Sequence, residues 1–301
     1  MTSTTEREGS PAFIPEAALR AKLAQLTFVS RRPHGHLHTG DRRSRAAGSS
    51  IEFADHRRYS PGDDYRQIDW NVYARTDDLF VKVRESEETL VVHLLLDASG
   101  SMASGPLSKF EIGRRVLAAL GWTALTGMDV LAAGSLGSDL GNIFPPRHGK
   151  LHIHRFFDFL NGLQPSGETF LARSAQAYVA RQAPHGVAVL VSDLLGHAAP
   201  RAIGTLAQHG EELTVIHVLD EEFVNPNFSD EIELVDAEDG GTLELFGDEE
   251  LLRTYRAEVA EWSSSLQQFC HRRNVRYVPI KSDWSVEEIV LGLLLSHGVL
   301  A

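Results

Sequence analysis

Asp97, Ser99 and Ser101 alternate with small residues in the stretch Asp97-Ala98-Ser99-Gly100-Ser101. A carboxylate and two hydroxyls at this spacing turn several hard oxygens toward one point. That donor set suits Mg²⁺ (or Mn²⁺) rather than zinc. The group follows an apolar run, Leu90–Leu96, broken once by His93. A short apolar run closed by a Gly-containing polar turn predicts a buried strand of a parallel sheet. Such sheets carry their chemistry just past the carboxyl ends of the strands, so a divalent-cation site is expected there. The bland alternative is that the turn merely caps the next helix.

The surrounding chain reads as the scaffold for that edge. Lys109–Leu125 has a helical stripe through Ile112, Val116, Ala119 and Leu120, and Asp129–Leu136 reads as a second buried strand. Leu151–Leu163 is predicted helical with Phe156, Phe157 and Leu160 inward. Residues 165–171 form a loop opening a helix to about Arg181, which brings the Thr169 hydroxyl toward the sheet edge. Val187–Val191 is a third apolar strand and ends at Ser192-Asp193. A helix (Pro200–His209), a strand (Leu213–Leu219), a hairpin (Glu231–Val235 with Thr242–Phe246), a long amphipathic helix (Asp248–Arg273), a strand (Val275–Ile280) and a last helix (Ser285–His297) follow. This alternation predicts an α/β fold: an open, mostly parallel, Rossmann-like sheet with helices on both faces.

A smaller N-terminal segment precedes it. Residues 1–15 read as a polar tail, and Pro15–Ser30 as a short amphipathic helix. Residues 16–87 are grouped as one N-terminal region and 88–301 as the α/β domain. Leu79–Val83 alternates and is expected as an edge strand pairing with the central one, with Trp70, Tyr73 and Phe80 packed on the main domain. Asp63, Asp64 and Asp69 are expected to fix a turn and pair with nearby arginines. His34, His36 and His38 alternate, but no Cys or carboxylate pair accompanies them, so a polar loop is expected. Arg42, Arg43, Arg45, Arg57 and Arg58 are candidates for contacting phosphates or a partner's carboxylates.

The totals narrow the function. A net charge of −12 argues against a general nucleic-acid binder. Arginines crowd Arg20–Arg58, whereas Asp220–Glu250 carries many carboxylates and no Lys or Arg. The lone cysteine, Cys270, permits neither an intramolecular disulfide nor a Cys-based zinc site. No signal-peptide pattern opens the chain and no apolar stretch reaches the length of about 18 residues that spans a bilayer. The expectation is a cytoplasmic protein.

The strand–Asp97-x-Ser99-x-Ser101 group, loop Thr169 and strand-end Asp193 together resemble the metal-ion-dependent adhesion site of a von Willebrand factor A domain. One departure is Leu194, which stands where a Gly usually follows that last Asp. The segment from Gly48 to Glu88, with SPGDDYRQIDWNVYARTDD at its centre, resembles the signature of domain-of-unknown-function family 58 (DUF58), fused to such an A-like domain. The resemblance implies association with MoxR-type AAA+ ATPases and an adaptor or co-chaperone role without enzymatic activity. It also implies a Mg²⁺ (or Mn²⁺) ion held by Ser99, Ser101 and Thr169, with Asp97 and Asp193 acting through water or as hydrogen-bond acceptors. With so few direct anionic ligands, the metal keeps a position open to the carboxylate of an acidic client protein.

Two other readings compete. An Asp after a buried strand is where dehalogenase-like phosphatases place their nucleophile, which would make the protein a metal-dependent phosphoester hydrolase, yet Ser99 replaces the second Asp they need. A serine hydrolase is unsupported because the Gly-x-Ser-x-Gly elbow is absent. Phosphate or nucleic-acid binding through Arg31–Arg58, with Trp70 and Tyr73 stacking bases, is the second.

Overall fold

The computed structural model describes residues 15–30, 53–60, 65, 68–84, 89–103, 108–165, 167, 170–181, 185–196, 198–208, 212–226, 231–235, 241–246 and 249–301. The chain divides into two compact units: residues 1–33 with 89–301, and residues 34–88.

In the larger unit α1 (Ala17–Leu23) is followed by β3 (Val91–Asp97), α3 (Lys109–Thr126), β4 (Val130–Leu136), β5 (Leu140–His148), α4 (Ile153–Asn161) and α5 (Leu171–Val179). Then come β6 (Val187–Ser192), α6 (Ala199–Gln208), β7 (Glu212–Leu219), the single turn α7 (Glu221–Val224), the hairpin β8 (Glu231–Val235) with β9 (Thr242–Phe246), α8 (Glu249–Arg272) and β10 (Arg276–Lys281). A π-helix, Glu288–Leu294, closes the chain. The smaller unit contains β1 (Phe53–Arg58), α2 (Trp70–Thr76) and β2 (Phe80–Arg84).

Six strands form one sheet in the order β10-β7-β6-β3-β4-β5. All neighbours are parallel except β4 and β5. The expected mostly parallel α/β architecture is what the chain adopts. β3 is central and buried along its whole length. Its side chains alternate between two cores. Val92, Leu94 and Leu96 pack with Leu23 of α1, Val116 and Leu120 of α3, Phe156 of α4 and Ile289 of the π-helix. Leu95 faces the other side, with Leu171 of α5, Ile203 of α6 and Leu266 of α8. Burying each such leucine favours folding by about 2 kcal/mol before entropy is counted. Helices therefore cover both faces, as the doubly apolar strands require.

Several expectations need correction. The first helix ends at Leu23, not Ser30; beyond it Thr27 exchanges backbone hydrogen bonds with Ala301, and the Val29 amide donates to the Val299 carbonyl. It belongs to the larger unit, with Leu23 fully buried in the main core, so grouping residues 16–87 separates it from the residues it packs on. β2 pairs antiparallel with β1 in a separate two-stranded sheet instead of joining the central strand. Trp70 and Tyr73 are exposed, Trp70 by 60%, and meet each other edge to face with ring centroids 6.1 Å apart. Asp69 caps α2, accepting from the amides of Asn71 (2.9 Å) and Val72 (3.3 Å), which is a local structural task. Asp63, Asp64 and the three alternating histidines lie outside the described residues.

Candidate functional site

The carboxyl ends of β3 and β6 lie side by side in the sheet, and Asp97 and Asp193 sit at those ends. Asp97 is the last residue of β3 and is 1% exposed. Its Oδ1 accepts from the Ser99 amide at 3.0 Å, an Asx-type turn that reverses the chain. Its Oδ2 accepts from the Ser192 hydroxyl at 2.5 Å, which ties the two strand ends together. The Ser99 and Ser101 hydroxyls lie 3.0 Å apart. The Gly100 amide donates to the Gly167 carbonyl at 2.9 Å, so the loop that carries Thr169 is anchored against this turn. Thr169 itself lies outside the described residues, as do Arg42, Arg43, Arg45 and the Arg57 side chain. Arg58 is exposed in the smaller unit and pairs with Asp78 at 3.1 Å.

Asp193 is anchored from three directions. Its Oδ2 accepts from Lys109 Nζ at 2.6 Å, with both side chains almost completely buried. Its Oδ1 accepts from the Leu195 amide at 3.3 Å. Its carbonyl oxygen accepts from His217 Nε2 at 2.9 Å. A carbonyl can only accept, so Nε2 carries the proton and Nδ1 accepts from the Tyr277 hydroxyl. Burial pushes the His217 imidazole down to about 4, which keeps it in this neutral form.

Leu194 has φ = 53°, the left-handed region that a side chain ordinarily avoids. The position has the backbone conformation that a glycine adopts without strain. The strain is tolerated because the Leu194 amide donates to Ser192 Oγ at 2.9 Å and the side chain is fully buried against the α5–α6 face.

Lys109, Ser192, His217 and Tyr277 were not among the expected site residues. Lys109 had a signal. It is the first helical residue after the N-cap Ser108, where the helix dipole disfavours a cation. Gly113 lets α3 press onto the sheet below it, since a Cβ there would lie 2.9 Å from Leu96 Cδ1 and 3.1 Å from Val191 Cγ1.

The charge balance is uneven. Burial, with the Asp193 charge nearby, raises the Asp97 carboxyl from 3.8 to about 6, against the lowering by its Ser192 and Ser99 hydrogen bonds. Two buried carboxylates thus stand on adjoining strand ends, and one of them, Asp193, is paired with an ammonium. The hydroxyl spacing suits a cation: two adjacent ligands of an octahedral Mg²⁺ with bonds of 2.0–2.1 Å lie about 3 Å apart. Among the described residues no group of three or more His, Cys, Asp or Glu side chains is placed to hold a metal, so an ion here would depend on the hydroxyls. The residues fit a hard, oxygen-seeking dication.

A family model described as a protein of unknown function, DUF58, matches residues 55–264. Curated relatives include the uncharacterised protein Mb1516 of Mycobacterium bovis and Rv1480 of Mycobacterium tuberculosis H37Rv. Each is 29% identical over 262 residues, covering 82% of this chain and 81% of the relative. Among solved structures, a conserved hypothetical protein BatB from Bacteroides thetaiotaomicron aligns with a TM-score of 0.44 and 14% identity, over 69% of this chain and 98% of that one. The SpRpn10 VWA domain aligns with a TM-score of 0.43 and 12% identity, over 67% and 94% respectively. Among the described residues no helix is long and apolar enough to cross a membrane.

Proposed function

The chain belongs to the DUF58 family, and on that premise we propose that it is a non-enzymatic adaptor that binds an acidic residue of a partner protein through a Mg²⁺-dependent (or Mn²⁺-dependent) adhesion site. Its partner is an AAA+ ATPase of the MoxR type and its client a protein offering a carboxylate. The observation that carries the reading is the pair of serine hydroxyls 3.0 Å apart beside two buried carboxylates on adjoining strand ends.

Ser99, Ser101 and Thr169 are the residues that would hold the ion, and a bound dication supplies an electrophilic position for a carboxylate. Asp97 orients the turn through the Ser99 amide and holds Ser192. Asp193 contributes negative charge while fixed by Lys109 and, through its carbonyl, by His217. No activated nucleophile is part of this reading: the two hydroxyls are hydrogen-bonded to each other, and His217, which is tied to the site, spends its Nε2 on a backbone carbonyl.

The test is an affinity capture from native lysate with the wild type and with Ser99→Ala/Ser101→Ala, each in Mg²⁺ and in EDTA. An AAA+ ATPase retained only by the wild type in Mg²⁺ is the expected result. Retention under all four conditions would move the contact away from the hydroxyls. Absence of any ATPase would remove that partner.

A further inference from the structure

We infer that Lys109 makes metal uptake at this site conditional on the partner's carboxylate, so that ion and acidic ligand bind as a pair. The inference rests on the metal-bridged reading above and adds its regulation.

Lys109 Nζ lies 2.6 Å from Asp193 Oδ2, and the two side chains are only 4% and 3% exposed. The lysine opens α3, an unfavourable end of a helix for a cation. Ser108 caps that end by accepting from the Glu111 amide. The close approach of α3 at Gly113 holds its first turn against the sheet. The ammonium is thus a buried, built part of the site.

Counting charges gives the consequence. The carboxylates of Asp97 and Asp193, buried on adjoining strand ends, and the Lys109 ammonium leave a single negative charge at the resting site. A dication alone turns that into a single positive charge, and an uncompensated charge in a buried site is costly. A partner carboxylate then brings the pocket to neutrality. Without the lysine the order reverses. The two carboxylates alone are neutralised by the dication, and the partner's carboxylate adds an uncompensated negative charge. Lys109 therefore moves the neutral state from the metal-only complex to the metal–carboxylate complex. By linkage, whatever the carboxylate adds to metal affinity the metal adds to carboxylate affinity.

The experiment measures Mn²⁺ uptake by the full chain, from the electron paramagnetic resonance of the free ion, at neutral pH. It is done in chloride and in acetate at equal ionic strength, for the wild type, Lys109→Gln and Lys109→Arg. Wild type is expected to bind Mn²⁺ more tightly in acetate than in chloride. Lys109→Gln is expected to bind in chloride at least about tenfold more tightly than wild type, the effect of removing one like charge a few Å away even in a water-like dielectric. It should gain nothing from acetate. Lys109→Arg keeps the charge and should behave as wild type. Equal affinity of wild type and Lys109→Gln in chloride, or an acetate effect that survives in Lys109→Gln, overturns the inference while leaving the metal site standing. No uptake by any of the three overturns the metal reading and the inference with it. Should Lys109→Gln fail to fold, the wild type decides alone: uptake as tight in chloride as in acetate overturns the inference.

Discussion

The two edges of the main sheet each hold a buried ion pair, built differently. At the amino edge Arg276, opening β10, pairs with Glu212, opening β7, at 3.7 Å, and Ser30 donates to the other carboxylate oxygen at 2.6 Å. A guanidinium faces a carboxylate there, and the hydroxyl ties down the segment after α1. At the carboxyl edge Lys109 meets Asp193, and Asp97, on the adjoining strand, accepts from a hydroxyl and an amide among the described residues. Among the described residues, the first arrangement sets a carboxylate against a guanidinium, whereas the second sets two carboxylates beside one ammonium. Buried charge without a full complement is a standing cost, and such costs gather where a ligand will supply what is missing.

Breaking each edge should therefore give effects of opposite sign. The largest is expected from Glu212→Gln, which removes the carboxylate facing the buried Arg276 and the acceptor of the Ser30 hydroxyl, and should lower the unfolding free energy by about 3 kcal/mol in urea melts. Asp97→Asn should do the reverse in metal-free protein at neutral pH, raising stability by up to about 3 kcal/mol, the equivalent of a carboxyl moved from 3.8 to about 6. If both substitutions destabilise alike, the contrast between the edges is wrong.

The pH dependence sharpens the contrast. A carboxyl raised in the folded state binds its proton more tightly folded than unfolded. Stability is then lost as pH rises from about 4 through about 6, and Asp129, raised to about 6 by burial, acts in the same direction. His217, lowered from 6.5 to about 4, acts oppositely, because stability is lost as pH falls through that window. The wild-type profile is a partial cancellation, but the difference between Asp97→Asn and wild type isolates one carboxyl. That difference should be small near pH 4 and grow toward neutrality, as read from urea midpoints across the series. The smallest effect is expected outside both edges. Arg58→Ala removes an exposed pair with Asp78 in the smaller unit and should leave the melting temperature unchanged.

The sequence made the central machinery visible where local pattern is sufficient. The apolar run before Asp97 is β3, the stripe from Lys109 is α3, and the alternation around Asp239-Gly240-Gly241 marks β8 and β9, whose bounds match the expectation. What escaped depended on distance or on exceptions. β5 contains Pro145 and Pro146 and lies at the antiparallel edge, with a break in register across them, an arrangement in which a sheet tolerates proline, so its strand signal was weak. The pairing of β1 with β2 is a long-range register that no local pattern encodes. Lys109 and Asp193 are 84 residues apart, and His217 meets Tyr277 across 60. A single histidine inside an apolar strand was the only sequence trace of such a network. His93 shows the same pattern with Tyr178, 2.7 Å away, far from any role at the strand ends.

The most direct measurement is an anomalous difference map from a crystal of the full chain grown with Mn²⁺. A peak is expected at metal–oxygen bonding distance, about 2.1 Å, from the Ser99 and Ser101 hydroxyls, with the hydroxyl–hydroxyl hydrogen bond replaced by two bonds to the ion. A map without density there, in crystals where Mn²⁺ occupies other surface carboxylates, would contradict it.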